Sequence, residues 1–504
     1  MVTGVAPMTE PALVLRGGRV VDPESGLDAV ADVAIAAERT TGENRVIAVG
    51  PGLAPGGREI DVSGLVVTAG FIDVHSHAFD TGGLRLQASD GVTTALELES
   101  GVMPVADAYA SAAADGKPVN YGFATSWAMA RMAVLSGIPL DGSVRTFFAH
   151  SAGPDWQRAA GEAEQARILA RLEADLADGA LGIGILAGYA PEASPAEYLA
   201  VAALAARARA ATFTHSRDLV EFRPQVAIDG AEEIVRAAGE TGAHMHYCHV
   251  NSTTLRHCDR VLSLVARAQR EGARISTEAY PYGAGMTGIG AAFLAPERLH
   301  ERGLVPADLT YAPTGERVGS AARLRELRAA DPGGLAIIRN LDDSSAGDRE
   351  LLMRYLLFPG AVVASDAMPL TWTGDGNPAA EDVWPLPPAA FTHPRTAGTF
   401  CRAIRLLTRD EASLSLPEAL AKCSLEPARL LEDHVPAMRR KGRLAPGMDA
   451  DVVVFDPATI SDQATYSDST RPSSGIRHVL VNGEFVVRDG QLVTSARPGR
   501  PVRA

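Results

Sequence analysis

The chain has few of the residues from which disulfide scaffolds and structural zinc knuckles are built. Four cysteines occur among 504 residues, and no two of them form a C-x-x-C pair; they are Cys248, Cys258, Cys401 and Cys423. This spacing argues against both classes of domain. Long apolar runs are also missing, since none approaches the roughly 18 residues that cross a bilayer. A membrane-spanning protein is therefore not expected.

Positive charge is scarce as well. The chain has 47 basic and 61 acidic side chains, a net charge of -14. An excess of negative charge repels phosphate groups, so neither nucleic acid nor an anionic membrane surface is an expected partner. Residues 1–7 lack the basic segment and apolar run of a signal peptide. These absences predict a soluble cytoplasmic protein.

The two ends of the chain have the same sequence pattern. Short β-rich segments separated by glycine and proline occur near the start, and similar segments return at 449–457 and 477–487, where Asn482-Gly483 is typical of a hairpin turn. Two β-rich ends around a different middle predict one β-sandwich domain built from both termini, comprising residues 1–67 and 435–504.

The middle, residues 68–434, alternates short apolar strands with alanine-rich helices. The strands are expected at 65–74, 93–99, 119–125, 181–186, 211–214, 244–248, 274–278, 335–339 and 361–364. Roughly eight strand-helix units fit a (β/α)8 TIM-like barrel better than an open sheet, and barrel chemistry lies at the C-terminal strand ends. Residues 296–333 show no clear strand and are interpreted as an insertion near the site.

Ligand-type side chains follow the predicted strands. His75 and His77 end the first one, and residues two apart in a strand face the same side, so both imidazoles can bind one zinc-like metal. Four further strand ends supply a carboxylate or a histidine: Glu97 with Glu99, His215, His249 and Asp366. His249 is preferred over His246 because it lies later in its segment. Because a barrel gathers its strand ends, this pattern predicts a metal site.

Several blocks carry a resemblance to a known family. They are the segments at 17–23, 70–77, 91–94, 179–184, 279–285, 365–367, 393–400 and 441–457. Through them the chain resembles the amidohydrolase superfamily. The Tyr-Pro-Tyr segment at 280–282 and the His-Pro-Arg segment at 393–395 point to its N-acyl-D-amino-acid deacylase (D-aminoacylase) branch.

The resemblance implies a metal site at the mouth of a (β/α)8 barrel. Its ligands would be His75, His77, His215 and His249, binding one or two divalent ions, with zinc expected. Asp366 would take a proton from the attacking water and deliver it to the leaving nitrogen. Tyr189, Tyr282 and Arg395 match positions that hold substrate. Superfamily members often form dimers or larger assemblies, so a homo-oligomer is an expectation.

The sequence departs from the family after the second strand. D-aminoacylases carry a metal-binding cysteine there, whereas this chain has Glu97 and Glu99, and either glutamate could bridge two ions. A harder oxygen ligand also permits Mn²⁺. Glu99 is nearer the strand end, and Glu97 is better placed if the strand runs on toward Gly101. No lysine stands in residues 181–189 to serve as the carbamylated bridge of hydantoinase-like relatives.

A second departure concerns the substrate. The family often shows a lysine after the sixth-strand histidine, whereas this chain has Val250-Asn251-Ser252. This weakens the case for an ordinary N-acyl-D-amino acid with a free carboxylate, although Arg395 and Arg217 could compensate. Asn251 and Arg217 are further candidate substrate-binding residues. The expected function is hydrolysis of a linear amide, by deacylation of an N-acyl (D-)amino acid or a related small amide. A cyclic-amide hydrolase or deaminase and a non-enzymatic relative are the alternatives. The intact ligand set speaks against the last.

Overall fold

The computed structural model describes residues 11–38, 41–374, 376 and 382–504. Residues 1–7, on which the expectation about a signal peptide rests, lie outside the described residues. Within the described ranges, no helix combines the length and the hydropathy needed to span a membrane. The cytoplasmic location remains a prediction.

The strands, in chain order, are β1 (Leu13–Asp22), β2 (Leu27–Ala37), β3 (Asn44–Gly50), β4 (Glu59–Asp61), β5 (Val66–Ala69), β6 (Phe71–Asp73), β7 (Val92–Val102), β8 (Asn120–Ser126), β9 (Gly182–Leu186), β10 (Ala211–His215), β11 (His244–Tyr247), β12 (Ile275–Ala279), β13 (Ala284–Gly288), β14 (Leu309–Tyr311), β15 (Glu316–Arg317), β16 (Leu335–Arg339), β17 (Ala361–Val363), β18 (Thr371–Trp372), β19 (Ala390–Phe391), β20 (Val452–Phe455), β21 (Ile476–Val481), β22 (Glu484–Arg488) and β23 (Gln491–Leu492).

The helices, in chain order, are α1 (Thr81–Ser89), α2 (Val105–Asp115), α3 (Trp127–Leu135), α4 (Val144–His150), α5 (Glu162–Ala177), α6 (Pro195–Ala208), α7 (Gly230–Thr241), α8 (Val250–Thr254), α9 (Cys258–Arg270), α10 (Ala321–Ala330), α11 (Ala346–Leu356), α12 (Arg395–Arg405), α13 (Leu416–Cys423) and α14 (Leu425–Leu431). Local chemistry fixes several of their ends. Ser194, for example, caps α6 by accepting from the Glu197 amide at 3.1 Å, and proline occupies the first position of that helix.

Both ends of the chain contribute to one sheet. Its order is β23-β22-β21-β20-β5-β1-β2-β3, with β4 beside β1. The link between the two ends is antiparallel pairing of β20 with β5. Buried aliphatic side chains from both ends, including Leu15, Val67, Val452 and Leu480, pack into one core. The predicted β domain built from both termini is confirmed.

The second sheet is the barrel. Eight strands lie in the order β6-β7-β8-β9-β10-β11-β12-β17, and neighbouring strands pair in parallel. The two edges meet just past β6 and β17, where Ser76 and Ala367 form a bridge and the His77 amide donates to the Ala367 carbonyl at 2.7 Å. This arrangement confirms the predicted (β/α)8 barrel.

The structure corrects the first predicted strand. Residues 65–74 form two strands: β5 belongs to the terminal sheet and β6 to the barrel, with Gly70 between them. A Cβ atom on Gly70 would lie 2.1 Å from Thr93 Oγ1, so only glycine fits where the chain passes between the sheets. The apolar run continues through this change of sheet, which is why the pattern resembled one strand.

Residues 335–339 were also predicted as a barrel strand, and this prediction is wrong. They form β16, which pairs antiparallel with β13 and β14 in a separate four-stranded sheet of order β13-β16-β14-β15. The sheet brackets the predicted insertion at 296–333, so the extra structure begins earlier, at β13, and ends later, at β16.

Candidate metal centre

The first ligand pair lies directly after β6. His75 and His77 are buried, and their Nε2 atoms are 3.2 Å apart. The chain is held here by the carboxylate of Asp73, which accepts from the His75 amide at 3.2 Å and from the Ser365 amide at 3.0 Å. Strand geometry therefore aims both imidazoles at one point at the C-terminal end of the barrel, as the spacing predicted.

Glu99 lies at the centre of the site. Its Oε2 atom is 3.3 Å from His75 Nε2 and 3.7 Å from His77 Nε2. Its Oε1 atom is 3.1 Å from His215 Nδ1 and 2.6 Å from His249 Nε2. Two donor sets thus share one carboxylate: His75, His77 and Glu99 form the first set, and Glu99, His215 and His249 form the second. Within each set the ligand atoms lie within 4.8 Å of one another. A carboxylate that turns one oxygen to each set is suited to bridge two cations.

A bulge in β7 places Glu99 there. Pairing with β8 is regular up to Glu97 and resumes only at Val102, and Gly101 between them has φ +61°. The extra residues bend the strand at the barrel mouth, a common device for aiming a side chain at a site. Glu97 lies before the bulge, and its Oε2 atom accepts from His77 Nδ1 at 2.7 Å. Glu97 therefore contacts the Nδ1 atom of His77, on the side of the ring away from Glu99, and lies outside the two donor sets.

Asp366 follows β17 and completes the first donor set. Its Oδ1 atom is 3.5 Å from His75 Nε2 and 3.6 Å from His77 Nε2. Arg395 fixes the residue from behind: its Nη2 atom pairs with Asp366 Oδ2 at 2.9 Å and its Nε donates to the Asp366 carbonyl at 2.5 Å. Asp366 has φ +50°, an uncommon backbone conformation that these contacts stabilise.

The charges in the site favour a cation. Burial opposes protonation of His77, but the carboxylates of Glu97 and Glu99 outweigh it and raise the pKa of His77 to about 9. Burial likewise opposes ionisation of Glu99, yet the histidines His249 and His75 hold its pKa well below the ordinary value. Buried carboxylates that stabilise positive charge on imidazoles stabilise a divalent ion at the same point. The donor set of imidazole nitrogens and carboxylate oxygens fits zinc.

A cavity leads to this cluster. Much of its wall is apolar, with contributions from Phe147, Phe148, Leu186, Met286, Phe293 and Ile338. Met286 lies on β13 and Ile338 on β16, so the inserted sheet forms one side of the cavity. Tyr189, one of the predicted substrate residues, lines it, and its hydroxyl is 2.5 Å from Thr287 Oγ1.

The structure also brings in a residue that the sequence analysis missed. Arg302 is the only lysine or arginine among the described residues that line this cavity. Its Nη2 donates to Asp218 Oδ1 at 2.7 Å, and its guanidinium lies 4.7 Å from the centre of the Phe293 ring. Its Nε, although buried, has no hydrogen-bond partner among the described residues. Arg302 lies in the insertion, where no periodicity indicated its orientation.

The other predicted substrate residues lie elsewhere. Arg217 pairs with Glu233 at 2.7 Å, Tyr282 is buried beneath Arg402, whose guanidinium lies 4.5 Å from its ring centre, and the Asn251 amide faces the Tyr280 carbonyl at 3.4 Å. None of Arg217, Tyr282 and Asn251 is among the described residues that line the cavity.

Arg395, the remaining predicted substrate residue, lies next to the cavity but is not among the described residues that line it. It lies behind Asp366, but its buried Nη1 has no partner among the described residues. This atom would be 3.6 Å from a Cβ atom on Gly285, a residue of the cavity wall. The guanidinium is therefore buried behind the cavity wall, next to Gly285.

Comparison with known proteins agrees with this geometry. Residues 58–487, most of the chain, match the model of the Amidohydrolase family. The chain belongs to this family. The predicted resemblance to amidohydrolases is thereby confirmed, and it extends to individual members.

Among curated proteins, this amidohydrolase is 29% identical to an N-acyl-D-glutamate deacylase of Alcaligenes xylosoxydans xylosoxydans, over 97% of this chain and 96% of the relative. It is also 29% identical to the D-aminoacylase of the same organism over a similar extent. Among solved structures, it is similar to the N-acyl-D-glutamate deacylase of Bordetella bronchiseptica in complex with zinc and a phosphonate inhibitor that mimics the tetrahedral intermediate. That similarity has a TM-score of 0.75 and 26% identity, covering 98% of this chain and 100% of the other.

Proposed function

We propose that this amidohydrolase is a divalent-metal-dependent deacylase that hydrolyses the linear amide of N-acyl D-amino acids. The observation that carries the proposal is the pair of buried donor sets that share Glu99, with Asp366 beside the first of them. Similarity along nearly the whole chain to N-acyl-D-amino-acid deacylases supports the same reaction class.

The residues divide between two ions. His75, His77, Asp366 and Glu99 would hold one, and Glu99, His215 and His249 would hold the other. Zinc is the expected ion because the donors are imidazole and carboxylate, and Mn²⁺ is compatible with the oxygen-rich set. A bound divalent ion of this kind lowers the pKa of water from about 16 to about 7 and polarises a carbonyl group.

The protein's own groups then handle the proton and the substrate. Asp366 Oδ1 faces the site while Arg395 holds Oδ2, so the carboxylate is oriented to take a proton from the attacking water and to return it to the leaving nitrogen. The apolar walls around Phe147 and Phe293 exclude bulk water and accommodate the acyl group.

Two arginines suggest how the amino-acid part is held. Arg395 Nη1, which has no partner among the described residues, lies beside Gly285 and would donate to the α-carboxylate, compensating for the lysine that is missing after His249. Arg302 offers a second cation on the cavity wall. An acidic side chain on the substrate would therefore be favoured, and two of the curated relatives are named for glutamate and aspartate substrates. Tyr189 remains a proposed substrate contact.

The test is release of free amino acid from N-acetyl-D-glutamate, N-acetyl-D-aspartate, N-acetyl-D-leucine and their L-enantiomers, with hydantoin as a cyclic-amide control. The protein is assayed as purified, after chelation, and after return of Zn²⁺ or Mn²⁺. We expect hydrolysis of D-substrates, with the acidic ones preferred, loss on chelation and recovery with metal. Ring opening of hydantoin without hydrolysis of any N-acyl amino acid would overturn the proposal.

A further inference from the structure

The carboxylate of Glu278 lies on the far side of His75 from the shared donor sets. It stands near the C-terminal end of β12 and is 1% exposed. Its Oε1 atom accepts from His75 Nδ1 and, at 3.0 Å, from the backbone amide of His249. Its Oε2 atom is 3.0 Å from His246 Nε2. One buried carboxylate thus contacts a histidine of each donor set, and both of its oxygens are occupied.

The contact with His249 concerns its backbone. His249 has φ +29°, a sparsely populated backbone conformation that persists only where surrounding contacts hold it. His249 lies two residues after the end of β11, and this conformation turns its imidazole toward the site, where Nε2 is 2.6 Å from Glu99 Oε1. The Glu278 carboxylate satisfies the buried amide in this conformation, and losing that acceptor would remove a contact that keeps the backbone there.

The contact with His75 concerns its tautomer. Because the ring donates through Nδ1 to a carboxylate, the lone pair of Nε2 is left facing Asp366 and Glu99. Carboxylates in this position orient a ligating imidazole and increase its basicity. Glu97 makes the equivalent contact with His77, but among the described residues it contacts no member of the second donor set.

We propose that Glu278 is a positioning residue that couples the two donor sets, by fixing the tautomer of His75 in one and the backbone conformation of His249 in the other. The inference rests on the proposed metal-dependent function. It predicts that changing Glu278 weakens both ions together, whereas changing Glu97 weakens only the ion bound by His77.

The experiment uses the full chain, stripped of metal and titrated with Zn²⁺ against a chromophoric chelator. Glu278→Gln keeps the size of the side chain but removes its negative charge, so the remaining oxygen is a weaker acceptor for His75 Nδ1 and for the His249 amide, and a donor replaces the oxygen that faces His246. We expect the dissociation constants of both ions to rise by about 10- to 100-fold. Glu97→Gln, the matched control, should raise only one by this factor. Circular dichroism of the metal-free proteins checks that the fold is kept.

Wild-type affinity for both ions in Glu278→Gln would overturn the inference, and so would weakening of one ion only. If Glu278→Gln does not fold, Glu278→Asp carries the test: it keeps the charge but shortens the reach, and should weaken both ions to a smaller extent. A wild type that binds two ions but deacylates nothing refutes the proposed function and leaves this inference standing. A wild type that binds no ion refutes both.

Discussion

Glu97 and Glu99 contact different parts of the candidate metal site, so replacing each of them with alanine should give a different number of bound ions. Removing Glu99 leaves the second donor set with only His215 and His249, whereas zinc sites in enzymes use three protein ligands. The first set keeps three, His75, His77 and Asp366. We therefore expect Glu99→Ala to retain about one ion where the wild type holds two.

Glu97→Ala removes a contact behind His77 but no member of the shared sets. Loss of such an outer partner lowers metal affinity by about 10- to 100-fold, which corresponds to about 1.4–2.7 kcal/mol for one ion. With metal in excess, this variant should still hold two ions. The assay is elemental analysis of protein purified without chelator and equilibrated with Zn²⁺.

The reverse pattern, in which Glu97→Ala loses an ion and Glu99→Ala keeps both, would refute the assignment drawn from the bulge in β7. A wild type that contains no metal and takes up none on reconstitution would refute the metal site itself, and the histidines would then be structural.

Three further predictions follow from other parts of the molecule. Arg302→Met should raise KM for N-acetyl-D-glutamate about 10- to 100-fold, since hydrogen bonds to charged groups contribute about 1.5–3 kcal/mol. Arg298 shares Asp218 but does not line the cavity, so Arg298→Met should leave KM unchanged. Equal effects of the two substitutions would contradict a substrate contact of Arg302. Lys441→Met should lower the free energy of unfolding by about 3–5 kcal/mol in denaturant titrations, because it removes the ammonium from the buried carboxylate of Asp451, whereas Asp449 keeps Arg45 and Arg440. An unchanged midpoint would refute this. Burial lowers the pKa of His244 to about 3. Its contribution to stability is therefore complete above the unfolded pKa of about 6.5, and the free energy of unfolding falls as pH drops below that value, by up to about 1.4 kcal/mol per pH unit. His244→Gln should lose this dependence of the unfolding free energy on pH, and equal slopes in both proteins would contradict the prediction.

Much of the barrel and of the candidate site could be predicted because parallel strands gather their C-terminal ends. His75, His215 and Asp366 come from distant parts of the sequence, yet each follows a short apolar run, and the barrel brings them together. The pattern could not decide between Glu97 and Glu99, because the bulge that separates them depends on pairing with β8.

Other features depended on contacts that a pattern does not contain. The apolar run at 335–339 resembles a buried barrel strand, and only its hydrogen-bond partners assign it to the inserted sheet. The change of sheet at Gly70 depends on close contact with Thr93. Arg302 reaches the cavity through an irregular segment in which neither helical nor strand periodicity applies.

The pairing of β5 with β20 joins two parts of the chain that are synthesised far apart in time. β5, which precedes β6 and His75 in the chain, pairs with a strand from the far end of the sequence. At the opposite end of the barrel, the Val502 amide donates to the Tyr121 carbonyl at 2.7 Å, and the Val502 side chain is buried in the barrel core. During synthesis on the ribosome every donor residue emerges before β20 and Val502, so we expect these contacts to form only after all the donors have been made. A chain shortened before β20 would contain all the donor residues but would lack the pairing of β5 with β20 and the contacts of Val502.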